Sequence, residues 1–203
     1  MSTARDSENW AAAAATERRE QRERRWQYLC PPLYRETDPA RLPQGPLADV
    51  LAWRYGPQGL LLIGPTGTGK TRAAYLLLRR LLDEDETRRI IAYDGLAFGH
   101  EAARRFREGT GETWVTGVAT ADVIFFDDFG KMTLTERVEA ELFGVIEYRT
   151  AHHLPILATS NMTGADLAAK ASKDRGEPLV RRLREFCRVV VFNPEPEPAG
   201  DAG

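Results

Sequence analysis

Apolar residues along this chain fall into short continuous runs separated by longer stretches of helical period. Residues 59–63 (Gly-Leu-Leu-Leu-Ile), 90–93, 122–128, 154–159 and 188–192 each read as a strand. The first of them has the unbroken apolar character of a strand buried on both faces of a parallel sheet. The segments between them favour helix. Residues 70–83 open with good helix formers at helical spacing, and 95–107 is helical throughout. Residues 108–121 hold a loop and a short helix. Residues 134–152 place Val138, Leu142, Val145 and Ile146 on one inward face. Shorter helices are expected over 49–55, 165–172 and 177–186. Strands alternating with helices predict an α/β fold, a three-layer αβα sandwich around a parallel sheet.

The flanks differ from this pattern. Residues 1–9 read as disordered. Residues 10–28 read as a helix of Ala, Glu and Arg with acid–base pairs at i, i+4 spacing. Its apolar residues sit at its two ends, so it is expected either to stand free in solvent or to serve as an arm for a partner. Prolines at 31, 32, 39, 43 and 46 mark a segment that wraps onto the domain. Pro194, Pro196 and Pro198, interleaved with glutamates, mark an acidic tail too poor in apolar surface to fold. The expected organisation is a disordered segment and charged arm over 1–30, one domain over 31–192, and a disordered tail over 193–203.

Composition narrows the picture slightly. A length of 203 residues suits one domain with a sizeable core. The net charge of −2 gives no global basic field, so any nucleic-acid contact must come from a local patch. Cys30 and Cys187 fit no metal-binding spacing and read as buried free thiols. No apolar run reaches the length of a membrane span, and the polar N-terminus lacks a signal-peptide core. A cytoplasmic protein without membrane contact is expected.

Chemistry concentrates where strands end. After the first strand, residues 64–71 read Gly64-Pro65-Thr66-Gly67-Thr68-Gly69-Lys70-Thr71 and a helix follows, a complete Walker A phosphate loop in its proper context. Glycines let backbone N–H groups wrap phosphate, and the helix N-terminus adds partial positive charge. Lys70 can reach the β- and γ-phosphates, and the Thr71 hydroxyl can ligate Mg²⁺. The strand at 122–128 ends in Asp127-Asp128, the Walker B arrangement. Asp127 would hold Mg²⁺ and its water shell. Asp128 would polarise the attacking water, or else cap the next segment. Asp128-Phe129-Gly130 spells a kinase triplet, but the chain has no kinase catalytic loop and its glycine loop is of the other type. The next strand leads into Asn161, whose amide can hydrogen-bond the γ-phosphate or the water. ATP and Mg²⁺ are therefore the expected ligands.

The order of these signatures carries a family likeness. Walker A, then Asp127-Asp128-Phe129-Gly130, then Thr159-Ser160-Asn161-Met162, then Gly176-Glu177-Pro178-Leu179-Val180-Arg181-Arg182-Leu183 before a final strand resembles the DnaC/IstB/DnaI branch of AAA+ ATPases. The resemblance covers about 45–192. It implies an AAA+ domain lacking the C-terminal helical lid, with an ATPase activity in which Asp128 is the catalytic acid and Asn161 the first sensor. It implies that Arg182, with Arg181 in reserve, enters a neighbouring copy's active site in a head-to-tail assembly. It also implies a replicative helicase and single-stranded DNA as partners, in helicase loading during DNA replication. A transposition helper ATPase of the IstB kind, or a nucleotide-dependent binding module with little turnover, are the alternatives. Many relatives carry Glu where Asp128 stands, and the relatives' N-terminal domain or zinc-binding cysteines have no counterpart here beyond the short helix at 10–28. His100, Arg104, Arg105 and Arg107 on the helix at 95–107 are the expected DNA contact.

Overall fold

Five strands form one sheet in the computed structural model, which describes residues 3–131, 135–172 and 174–193, with side chains from residue 9 onward. They are β1 (Gly59–Ile63), β2 (Ile90–Asp94), β3 (Val123–Asp127), β4 (Ile156–Ser160) and β5 (Cys187–Val191), in the order β2-β3-β4-β1-β5. Every pairing is parallel. The apolar runs are continuous because helices cover both faces. Val123 and Phe125 pack with Leu60, Leu62 and Leu157 into one core. Ile124 and Phe126, alternating with them, pack with Ile156 and Ala158 into the other. Placing β4 between β1 and β3 brings the phosphate loop, the sensor strand and the acids to one edge, at the carboxyl ends of the strands.

The helices follow the expected spans within a few residues. Helices α1 (Thr3–Leu29), α2 (Pro32–Arg35), α3 (Gln44–Ala52) and α4 (Lys70–Glu84) precede β2. Helices α5 (Gly95–Arg107) and α6 (Gly111–Ala119) lie between β2 and β3, and α7 (Glu136–Ala151) joins β3 to β4. Helices α8 (Gly164–Lys170) and α9 (Gly176–Phe186) lead into β5. Among the described residues, which end at Asn193, no helix follows β5, in keeping with the expected absence of a lid. The acidic Pro-rich tail and the expected start of the fourth-strand crossover helix at 134 lie outside the described residues.

Two expectations for the N-terminal region are corrected. Residues 3–9, read as disordered, belong to α1. The helix is also not free along its length. From Asn9 to Gln21 all but Ala14 are exposed, Trp10 at 75 %. Beyond that point α1 docks on α4. Trp26 is buried, meets Tyr75 edge-on and lies under the Arg79 guanidinium. Arg22 pairs with Asp83 at 3.0 Å and Glu23 with Arg79 at 2.8 Å. The docking stripe at 22, 23, 26 and 29 is half charged, so it does not read as an apolar face. Charged stems and one tryptophan make the contact.

Arg149 fastens the half of the sheet that carries the acids. Its side chain is fully buried on α7. Nη1 donates to the carbonyls of Ala121 at 2.7 Å, Ala119 at 3.1 Å and Val118 at 3.3 Å. Nη2 donates to Pro155 at 2.6 Å and Asp122 at 3.2 Å. One planar fork thus satisfies the last carbonyls of α6 and the approaches to β3 and β4. Burial pulls its pKa down to about 10, so it remains charged at neutral pH. Arg149→Met should leave these carbonyls without donors and cost about 3 kcal/mol or more. Urea unfolding checks this. Arg149→Lys should recover little of the loss, because a single ammonium cannot span carbonyls set on three segments.

Candidate nucleotide-binding site

The phosphate loop folds as its glycines dictate. Gly64 has φ of +146° and Gly69 has φ of +92°, both closed to most side chains. A Cβ on Gly64 would lie 2.0 Å from the carbonyl oxygen of Phe192, which follows β5. Helix α4 then begins at Lys70, so its N-terminus points at the loop. Lys70 is buried and curls back over the loop. Its Nζ donates to the carbonyls of Pro65 at 2.7 Å and Gly64 at 2.8 Å. Burial lowers its pKa, and Asp128 and Asp127 act against that shift.

The acids meet the loop as expected. Thr71 Oγ1 donates to Asp127 Oδ1 at 2.7 Å, and Thr159 Oγ1 donates to the same oxygen at 2.7 Å. The Asp128 N–H donates to Thr159 Oγ1 at 2.7 Å. Asp128 takes a left-handed backbone, φ +54°, uncommon for a residue with a side chain and frequent at functional sites. Asn161 follows β4 and its Nδ2 lies 3.5 Å from Thr66 Oγ1, so the expected sensor faces the loop. Hydroxyl and carboxylate oxygens at Thr71 and Asp127 suit a hard cation such as Mg²⁺, which is commonly held by one or two carboxylates together with substrate phosphates. Among the described residues no group of three or more His, Cys, Asp or Glu could hold a metal without such help.

These residues line one cleft of about 1020 Å³, large enough for a nucleotide. Two parts of its wall were not foreseen. The first is the segment between α1 and α3, including Tyr34, Asp38, Arg41 and Leu42, which lines the cleft beside the loop. Tyr34 stacks on Tyr75 with centroids 5.0 Å apart, and Arg72 lies over Tyr34. Its prolines showed that it wrapped, but not what it wrapped. The second is Lys131, three residues past Asp128, whose ammonium pairs with the Asp128 carboxylate. That spacing was the available signal.

Two expected groups lie outside the lining of this cleft. Arg182 pairs with Glu147 on α7, and its Nη1 lies 3.5 Å from Thr150 Oγ1. Arg181, one position earlier on α9, is exposed and makes no ion pair among the described residues. On α5, Arg104 pairs with Glu101 at 2.7 Å and Glu108 at 3.1 Å, and Arg105 pairs with Glu101 at 2.7 Å. The basic cluster is thus largely neutralised by its own helix, with Arg107 and His100 left exposed.

A parallel sheet with a phosphate loop after β1 and acids after β3 defines a P-loop nucleotide-binding domain. The family model for AAA, the ATPase family associated with various cellular activities, matches residues 60–180, and this chain belongs to that family. Among curated proteins, none matches the sequence. Solved structures share the fold. A crystal structure of the DnaC helicase loader is 21 % identical with a TM-score of 0.63, over 83 % of this chain and 98 % of that one. The structure of DnaI is 18 % identical with a TM-score of 0.57, over 83 % of this chain and 93 % of that one. AMPPCP-bound DnaA from Aquifex aeolicus is 18 % identical with a TM-score of 0.61, over 72 % of this chain. This chain spans 44 % of that DnaA chain. Among the described residues no helix is long and apolar enough to cross a membrane.

The cleft makes a direct prediction for binding. Lys70 supplies the cation at the centre of the loop, and a charge-assisted contact to phosphate is worth about 1.5–3 kcal/mol. Lys70→Ala should weaken ATP binding at least tenfold while the thermal unfolding midpoint stays near that of the parent. Titration with a fluorescent ATP analogue measures it, and unchanged affinity would place the nucleotide elsewhere.

Proposed function

We propose that this chain binds ATP with Mg²⁺ in the cleft, hydrolyses it within head-to-tail assemblies of its own copies, and acts in DNA replication. Its action there is to load or remodel a replicative helicase on single-stranded DNA in the cytoplasm. The observation that carries the reading is the reach of the likeness to the DnaC helicase loader, which takes in 98 % of that chain rather than the phosphate loop alone.

Each residue then has a task. Gly64 and Pro65 shape the entry to the loop, Thr66, Gly67, Thr68 and Gly69 offer backbone N–H groups to the phosphates, and Lys70 supplies charge. Thr71 and Asp127 would hold Mg²⁺, which neutralises phosphate charge when bound. Asp128 accepts a hydrogen from the attacking water and so orients it. Asn161 positions the same water or the γ-phosphate from the neighbouring strand. The finger role fits Arg181 better than Arg182, because Arg182 is held by Glu147 of its own chain. The exposed half of α1, with Trp10 at its surface, is an arm for the helicase partner. DNA contact on α5 would require phosphate to compete with Glu101 and Glu108, an exchange that exposed ion pairs permit.

Asp128→Asn should not weaken ATP binding and should reduce turnover about a hundredfold or more, since it retains the shape and removes the accepting carboxylate. Turnover at the parent rate would make Asp128 a structural cap. Fingers supplied in trans raise rates about 10³–10⁵-fold. Arg181→Ala and Lys70→Ala proteins, each inactive alone, should therefore recover activity when mixed, and Arg182→Ala should not behave this way. If every mixture stays inactive and Arg181→Ala hydrolyses ATP normally, the head-to-tail mechanism fails. With a replicative helicase and a closed single-stranded circle, the chain should stimulate unwinding in the presence of ATP. Stimulation of a transposase on duplex DNA, and of no helicase, would identify the transposition helper instead.

A further inference from the structure

Lys131 lines the cleft from a turn held on several sides. The turn from Asp128 is closed by the Lys131 N–H, which donates to the Asp128 carbonyl at 2.8 Å. Phe129 is buried in the core beneath it, and Gly130 lies so close to Met162 that a Cβ there would fall 2.5 Å from the sulfur. Lys170 donates to the Gly130 carbonyl from the other side. The side chain of Lys131, by contrast, is 59 % exposed. A well-held backbone therefore carries an exposed cation. That cation pairs with Asp128 and shares its cleft with Lys70, Thr66 and Asn161.

We propose that Lys131 is a positioning residue that responds to the γ-phosphate: it holds the Asp128 carboxylate until a γ-phosphate in the cleft draws its ammonium away, freeing Asp128 to orient water. The inference rests on the ATP reading of the cleft. The exchange is physically easy. An ion pair with a mostly exposed lysine is weak. A terminal phosphate offers more negative charge and more acceptor oxygens than one carboxylate, and charge-assisted bonds to it are the stronger kind. The Asp128 carboxylate raises the lysine pKa, so the ammonium is charged while it holds the acid. The nearby Lys70 does not take this part, because its ammonium bonds the loop carbonyls rather than Asp128. A lysine that merely stabilised the turn would not distinguish ATP from ADP.

The test is calorimetric titration of ADP and of a non-hydrolysable ATP analogue. Lys131→Ala should weaken the analogue tenfold or more and ADP less than twofold, and Lys131→Arg should restore most of the difference. Asp128→Asn, which releases the lysine beforehand, should tighten the analogue severalfold, and only when Lys131 is present. Equal weakening of both nucleotides, or an unchanged ratio, overturns the proposal and leaves the ATP site standing. A parent protein that binds neither nucleotide overturns the ATP reading and this inference with it.

Discussion

One carboxylate oxygen, Oδ1 of Asp127, is where the parts of the site are joined. It accepts a hydrogen bond from Thr71 in the first turn of α4 and another from Thr159 in β4, each at 2.7 Å. Thr159 in turn accepts from the Asp128 backbone. The phosphate loop, the acid-bearing strand and the sensor strand are therefore not merely neighbours in the sheet. They are bound to one atom at the edge where a substrate would enter. This arrangement needs β4 between β1 and β3 and needs all three strands parallel, so the sheet order serves the chemistry directly.

Most of this was legible in the chain. Strands buried on both faces write themselves as unbroken apolar runs, and the five runs became the five strands. Walker A and Walker B are legible because their chemistry demands particular residues at particular spacings. What escaped was carried by charge and by long-range approach. The docking of α1 uses Arg22, Glu23 and Trp26, a stripe that looks solvated until Arg79 and Asp83 are placed opposite. The wall formed around Tyr34 is separated from the phosphate loop by a helix and a strand, and no local pattern links them. The partner of Arg182 was equally out of reach of the sequence, since Glu147 comes from α7, a separate element.

The segment around Tyr34 also gives the N-terminal region a purpose beyond covering the core. It leaves the docked end of α1, carries Tyr34 against Tyr75, and passes close enough to the loop that a Cβ on Gly69 would lie 2.7 Å from Leu42. Anything that pulls on the exposed half of α1 pulls on a helix continuous with this wall. Exposed arm and nucleotide cleft are thus mechanically adjacent although Trp10 and Lys70 are far apart in sequence.

The bonds of Arg149 bear on how the molecule comes apart. The full set can form only when α6, α7 and the approaches to β3 and β4 are all in place. Opening α6 alone would take two of the five acceptors from a buried cation, so partial opening of this region is penalised more than its surface position implies. These elements should therefore exchange their amide hydrogens together, as one cooperative block, rather than fraying inward from α6. The acids of the site end one of the strands that this block holds.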